Sequence, residues 1–298
     1  THVETGKAGY SRAMKLLLRA LLLLVIAIAG TVISMLSVED DYIFFPEQEM
    51  SHSPADAGLS FRDLYFTSAD GVRLHGWYMP HPHARFTLLH LHGNAGNISH
   101  RVAQYRRWHE MGLAVFAFDY RGFGLSEGEP SEDGLYDDAM AAWSLLQEKP
   151  EMAGNGIIIA GRSLGCAVAA HLASEVKPAG LALETPFTSL PDMSAAAYPW
   201  LPLRWFVRNQ FDTLSAVASL QAPLLLISAE SDEIIPADMP DRVFAAAHPP
   251  KLRGSFPGKH NDFDYVSARP YTRLWLQWLH VLASKRQPAM QWVMLEQP

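Results

Sequence analysis

Residues 157–168 read IIIAGRSLGCAV: an apolar run, then Gly161-Arg162-Ser163-Leu164-Gly165, then small residues. A serine between two glycines has two physical readings. One is a nucleophile on a sharp strand-to-helix turn, with glycines two residues to either side keeping Cβ atoms out of the crossing. The other is a helix-capping serine after a glycine, a position where serine is strongly favoured. Five residues cannot separate them. The partners that a nucleophile requires lie elsewhere in the chain.

Around this stretch, short apolar runs alternate with helical ones. FRDLYFT and VRLHGWYMP flank Asp70-Gly71 and read as a β-hairpin. Strands are expected at 87–93, 113–120, 156–161, 180–185 and 223–230, and a further one just before His260. Helices are expected at 98–111, 131–149, 163–176, 238–247 and 264–284, the second opened by Ser131 with acids in its first turn. This alternation predicts an α/β fold, doubly wound, with a mostly parallel sheet of about eight strands. The domain is expected over 61–284, with a polar linker at 39–60 and a C-terminal tail at 285–298. Residues 186–220, rich in proline and aromatics, interrupt the alternation and read either as a small cap or as a bulky connecting helix pair.

A serine hydroxyl is a weak nucleophile and needs a base, which needs an orienting acid. In the doubly wound hydrolase arrangement the order is serine, acid, histidine. Asp232 follows the strand ending near Ala229 and sits where such sheets gather their sites; Glu230 and Glu233 are its rivals. Of the three later histidines, His248 closes a helix before Pro249-Pro250 and His280 lies within an apolar helical run. Only His260 follows a strand and a glycine turn directly, which makes Ser163, Asp232 and His260 the candidate triad. An oxyanion hole is also needed: the N–H after the nucleophile, that of Leu164, and one from the loop after an early strand, for which Asn94 in His92-Gly93-Asn94 is the candidate. His90 and His92 are spaced to face one way, but no carboxylate cluster accompanies them, and His81-Pro82-His83 has no supporting ligand. No metal and no cofactor are expected. Glu184, at a strand end beside the site, reads as a structural or substrate-edge residue, with a substitute acid as the alternative.

HGNAGN (92–97), DYRGFGLSEGEPSEDGLYDDA (119–139), GRSLG (161–165), ETPFTS (184–189), SDEIIP (231–236) and KHNDF (259–263) together resemble the α/β-hydrolase superfamily over about residues 60–282. Within it they are most similar to the membrane-anchored serine hydrolases that include α/β-hydrolase domain-containing protein 13. The resemblance implies the same Ser163–Asp232–His260 triad, and a structural role for Asp119 and Arg121 in tying the DYRG turn. Relatives often carry glycine where this chain has Cys166 and Lys259; Cys166 reads as a small apolar residue packed against the sheet.

The chain has 298 residues, 49% of them hydrophobic, which is enough for a large buried core. Before Glu39 the charge is +3, and the remainder carries −10. An acidic domain without a basic stripe excludes nucleic acid as the expected partner. One cysteine, Cys166, allows no internal disulfide and no cysteine-rich zinc site. Residues 20–38, ALLLLVIAIAGTVISMLSV, carry no charge and follow a short basic segment, 1–19. As a helix they would just cross a bilayer core of roughly 30 Å. The Lys/Arg bias puts the N-terminus in the cytoplasm and the large domain on the far side, periplasmic, lumenal or extracellular. A cleaved signal peptide and a secreted domain is the alternative. The expected activity is cleavage of a carboxylic ester or thioester in a small or lipid-like substrate through an acyl-enzyme. A non-catalytic scaffold of the same fold and a peptidase of the same fold are the alternatives. Acyl preference and oligomeric state are not legible in the residues.

Overall fold

The computed structural model describes residues 3–284 apart from Phe263; the expected tail 285–298 and Thr1–His2 lie outside the described residues. Helix α1 (Val3–Ser37) runs without a break through both the basic segment and the apolar stretch, and its residues Met14–Thr31 are packed against nothing. A five-residue helix, α2 (Glu39–Ile43), follows at once.

Eight strands form one sheet: β1 (Arg62–Thr67), β2 (Arg73–Met79), β3 (Thr87–Leu91), β4 (Ala114–Asp119), β5 (Ile157–Arg162), β6 (Gly180–Glu184), β7 (Leu224–Ala229) and β8 (Lys251–Phe256). Their spatial order is β1-β2-β4-β3-β5-β6-β7-β8. β2 is antiparallel to both of its neighbours, and all the other pairings are parallel. Because β4 and β5 lie on opposite sides of β3, the winding reverses there. The loops after β3 and β5 therefore emerge side by side at the carboxyl edge, where open α/β sheets place their ligands.

The connecting helices cover both faces. Helices α3 (Val102–Glu110) and α10 (Arg269–Ala283) lie on one face, their Trp108, Trp275 and Trp278 buried with Leu88 and Val115. α4 (Glu132–Glu148), the short α5 (Pro150–Ala153), α6 (Leu164–Glu175), α8 (Thr213–Ser219) and α9 (Asp238–Ala246) cover the other, over Leu89, Leu91 and Phe116. Alternate residues of β3 thus enter opposite cores, as a strand covered on both faces requires. Ser131 caps α4 as its sequence suggests, its Oγ accepting from the Gly134 N–H at 3.2 Å.

The 186–220 interruption divides in two. Its last part, α8, belongs to the frame: Val217 and Leu220 are buried in the core against α6. Its first part, α7 (Leu190–Ala197) and a turn at Leu203–Trp205, follows β6 at the carboxyl edge: Leu190 and Met193 of α7 pack half-buried on the core, and beyond them Tyr198, Trp200, Trp205 and Phe206 are exposed.

The expected linker at 39–60 differs most from its reading. It is a strap packed across the domain. Phe44 is buried, and the Phe45–Pro46 backbone pairs with Ala95–Gly96 in a short two-stranded parallel bridge. Gln48 Nε2 donates to Gly122 O, and Asn97 Nδ2 donates to the carbonyls of Glu47 and Glu49. Its prolines and acids suggested a solvated segment. Its hydrogen bonds, however, run to loops more than forty residues away in sequence, which local polarity does not report.

Candidate active site

Ser163 lies between β5 and α6 with φ 51° and ψ −121°, left-handed backbone that a non-glycine residue adopts only when its surroundings enforce it. The flanking glycines are what permit the crossing. A Cβ on Gly161 would lie 2.2 Å from Gly165 O, and one on Gly165 would lie 2.1 Å from Leu91 O. Ser163 stands at the N-cap position of α6, yet its side chain makes no capping bond. Its Oγ lies 3.0 Å from His260 Nε2 instead. The capping reading therefore fails on geometry.

His260 is buried, on the loop after β8, and its Nδ1 is 2.8 Å from Asp232 Oδ2. An ionised carboxylate only accepts, so Nδ1 carries the proton and Nε2 is left to accept from the serine hydroxyl. Asp232 lies on the loop after the adjacent strand β7. The two loops are tied by Glu230 N–H to Phe256 O and Ser231 N–H to Gly258 O, at 2.9 and 3.0 Å. Partial burial would raise the Asp232 carboxyl. The hydrogen bonds from His260 and from the Ile235 and Ile234 N–H groups outweigh it and hold the carboxyl below the ordinary aspartate value. Of the rival acids, Glu233 Oε2 accepts from the His260 backbone N–H at 3.0 Å and so positions the loop. His248 bonds Ala218 O, away from Ser163.

Leu164 opens α6, and among the described residues neither its N–H nor that of Asn94 donates to another protein group. The two loops touch: a Cβ on Gly93 would stand 3.6 Å from Ser163 Cβ. Asn94 is held by the strap, its carbonyl accepting from the Phe45 N–H and its Nδ2 donating to Ile43 O, both at 2.8 Å.

Beneath these residues lies a buried layer of which the sequence reading had only Glu184, as a structural or substrate-edge residue, and not its partners. Arg162 and Glu184 stand opposite each other at the ends of β5 and β6. Glu184 accepts from Gln104 Nε2 at 2.8 Å, from the Tyr271 hydroxyl at 2.7 Å and from Arg162 Nη1 at 3.4 Å. Arg162 Nη2 donates to His260 O at 2.6 Å. A charge at the end of each of two otherwise apolar strands was the available signal. Cys166 is buried, its Sγ donating to the Gly161 and Glu184 carbonyls.

His90 and His92 are each taken up by other contacts. His90 packs on Trp108 and lies 3.3 Å from the Tyr105 hydroxyl. His92 Nδ1 donates to Gly93 O, which leaves Nε2 as an acceptor 3.5 Å from Asp119 Oδ1. Both side chains are fully buried, and burial pushes Asp119 up to about 8 and His92 down to about 3. Below the ordinary histidine value of 6.5 these shifts oppose each other in the proton balance with the unfolded chain. Between about 6.5 and 8 Asp119 dominates this pair: the folded chain holds its proton where the unfolded chain does not, so its contribution to stability falls as pH rises. Urea unfolding of the detergent-solubilised chain at pH 6.5 and 8.5 should show a loss about 2 kcal/mol larger than in Asp119→Asn. Equal losses in the two proteins would refute the assignment.

The family model described as serine aminopeptidase, S33 (Hydrolase_4) matches residues 82–216. The α/β-hydrolase domain-containing protein WAV2 of Arabidopsis thaliana is 34% identical over 258 residues, covering 78% of this chain and 83% of that protein. The uncharacterized protein Rv2307c of Mycobacterium tuberculosis is 39% identical over 244 residues, 81% of this chain and 87% of its own. Among solved structures, the Pyrococcus furiosus esterase Pf2001 superposes with a TM-score of 0.67 at 23% identity, over 79% of this chain and 98% of that one.

Proposed function

The chain belongs to the α/β-hydrolase superfamily, and we propose that within it the protein is a serine hydrolase cleaving carboxylic ester or thioester bonds through an acyl-enzyme. The observation that carries the reading is the continuous hydrogen-bonded line Ser163 Oγ–His260 Nε2, His260 Nδ1–Asp232 Oδ2, at 3.0 and 2.8 Å. Ser163 Oγ attacks the carbonyl carbon as its proton passes to His260 Nε2, and Asp232 stabilises the imidazolium that forms. The Leu164 and Asn94 N–H groups receive the oxyanion. His260 returns the proton to the leaving alcohol or thiol. A water, deprotonated by the same nitrogen, then releases the acid and restores Ser163. Arg162, through the His260 carbonyl, and Glu233, through its N–H, are positioning residues for the base.

The uncharged, unpacked stretch of α1 supports an anchor that holds this domain at a membrane, with the N-terminus cytoplasmic and the domain on the opposite side. The alternative is release of the domain after signal cleavage. A fluorophosphonate probe should label the full chain on Ser163, located by peptide mass. A folded chain that takes up no label would refute the hydrolase mechanism and favour the scaffold reading. The family description favours testing amides too: rates on an aminoacyl p-nitroanilide that match those on p-nitrophenyl esters would move the assignment to a peptidase.

A further inference from the structure

We propose that the outstanding part of the cap, residues 198–206, is a second membrane contact that rests in the bilayer interface and opens the site onto lipid. This proposal builds on the reading of α1 as an anchor, and it narrows the substrate to an acyl ester resident in the membrane.

Trp200 and Trp205 are 75% and 77% exposed, and Tyr198 and Phe206 are nearly half exposed. Tryptophan and tyrosine are the side chains enriched at membrane–water interfaces, where an apolar ring and a polar edge are both satisfied. Four large aromatics this exposed within nine residues are more than a freely soluble surface usually carries, and Arg204 stands over the Trp205 ring at 5.3 Å, a cation beside an interfacial aromatic.

What covers them follows from where the chain ties them. α1 ends at Ser37, and Glu39 and Asp40 follow at the level where the apolar stretch gives way to charge. Glu39 accepts from the Arg208 and Asn209 backbone N–H groups at 3.1 and 2.9 Å and from Asn209 Nδ2 at 2.9 Å. Asp40 accepts from Asn209 Nδ2 at 2.9 Å and from Arg208 Nη2 at 3.3 Å. Glu39 is buried, and these bonds hold its carboxyl below the ordinary glutamate value against the burial that would raise it. The cap is thereby fastened to the point where the anchor leaves the bilayer. Trp205 is three residues from Arg208, a reach of at most about 11 Å. With α1 across a membrane, Trp205 lies within a side chain or two of the headgroups.

The same strap carries the constraint to the site. α2 advances about 8 Å at 1.5 Å per residue before Ile43 O and the Phe45 N–H grip Asn94, the proposed oxyanion donor. Anchor, cap and oxyanion loop are thus joined within one short stretch of chain.

The test uses the full chain in vesicles of phosphatidylcholine brominated near the headgroup end of its acyl chains. α1 carries no tryptophan, so quenching of indole emission reports the domain and not the anchor. Wild type should lose a component of emission that the Trp200→Phe/Trp205→Phe double variant lacks. Equal quenching in the two would overturn the proposal, including the case in which a second copy of the chain covers the rings. In a second measurement, Trp200→Ser/Trp205→Ser should hydrolyse a soluble short ester at the wild-type rate and a vesicle-embedded long-chain ester about tenfold more slowly. An equal rate on both would also count against it. If neither ester is cleaved by any form, the hydrolase reading fails while the quenching still decides the membrane contact.

Discussion

Replacing Ser163 by Ala is expected to lower kcat on a short p-nitrophenyl ester by about 10⁴-fold or more, with the melting temperature nearly unchanged. The size follows from the geometry. His260 Nε2 has one hydroxyl to deprotonate, at 3.0 Å, and removing it leaves only the oxyanion donors and substrate binding to act on an adventitious water. Stability should hold because Ala accepts the same backbone as Ser, and the crossing at Ser163 is enforced by Gly161 and Gly165, not by the hydroxyl. Retained turnover would remove Ser163 from the mechanism. Asp232→Asn should lose a comparable factor by favouring the wrong imidazole tautomer. Because hydrogen bonds from His260, Ile235 and Ile234 hold its carboxyl below the ordinary aspartate value, any loss of rate caused by protonating Asp232 should come at a lower pH than an ordinary aspartate would give.

Arg121→Leu is expected to destabilise the fold by about 3–5 kcal/mol, read by urea unfolding. Arg121 donates from its backbone N–H to Asp138 Oδ2 at 2.8 Å and from Nη2 to Asp138 Oδ1 at 2.8 Å, and from Nη1 to Asp70 at 2.7 Å. Asp138 is fully buried, and burial already raises its carboxyl against the pull of Arg121. Without the guanidinium it must ionise in an apolar site or protonate, so the loss should deepen with rising pH. Arg121→Leu/Asp138→Leu should recover much of the loss, because the stranded charge is gone. A single variant as stable as wild type would show that the DYRG turn is held by packing alone.

The two variants probe parts of the molecule that differed in how far the sequence disclosed them. The alternation of apolar strands with amphipathic helices was legible because each element writes its own period into neighbouring residues. The Ser163, Asp232, His260 order was legible because each sits in the loop directly after a strand. In a parallel sheet, strand ends on one edge are close in space whatever their separation in sequence. Arg121 and Asp138 were partly legible, as a motif without its partners. Glu184 was legible as a structural or substrate-edge residue beside the site, but its partners Arg162, Gln104 and Tyr271 were not, because they come from separate elements. The strap at 39–60 was misjudged for the same reason. Its polar and proline-rich residues look like a linker until their partners at Gly122, Asn97 and Asn209 are known.

By itself, then, the amino-acid order determined the architecture and the three residues to examine, because hydrophobic period and strand-end position are local properties. Only the tertiary structure decided that Ser163 Oγ meets His260 and does not cap α6. Only it decided that Glu39 and Ile43 bind the chain that follows α1 to Asn209 and to Asn94. Those outcomes depend on hydrogen bonds between segments as much as 170 positions apart, whose directions are set when the two cores close around the sheet.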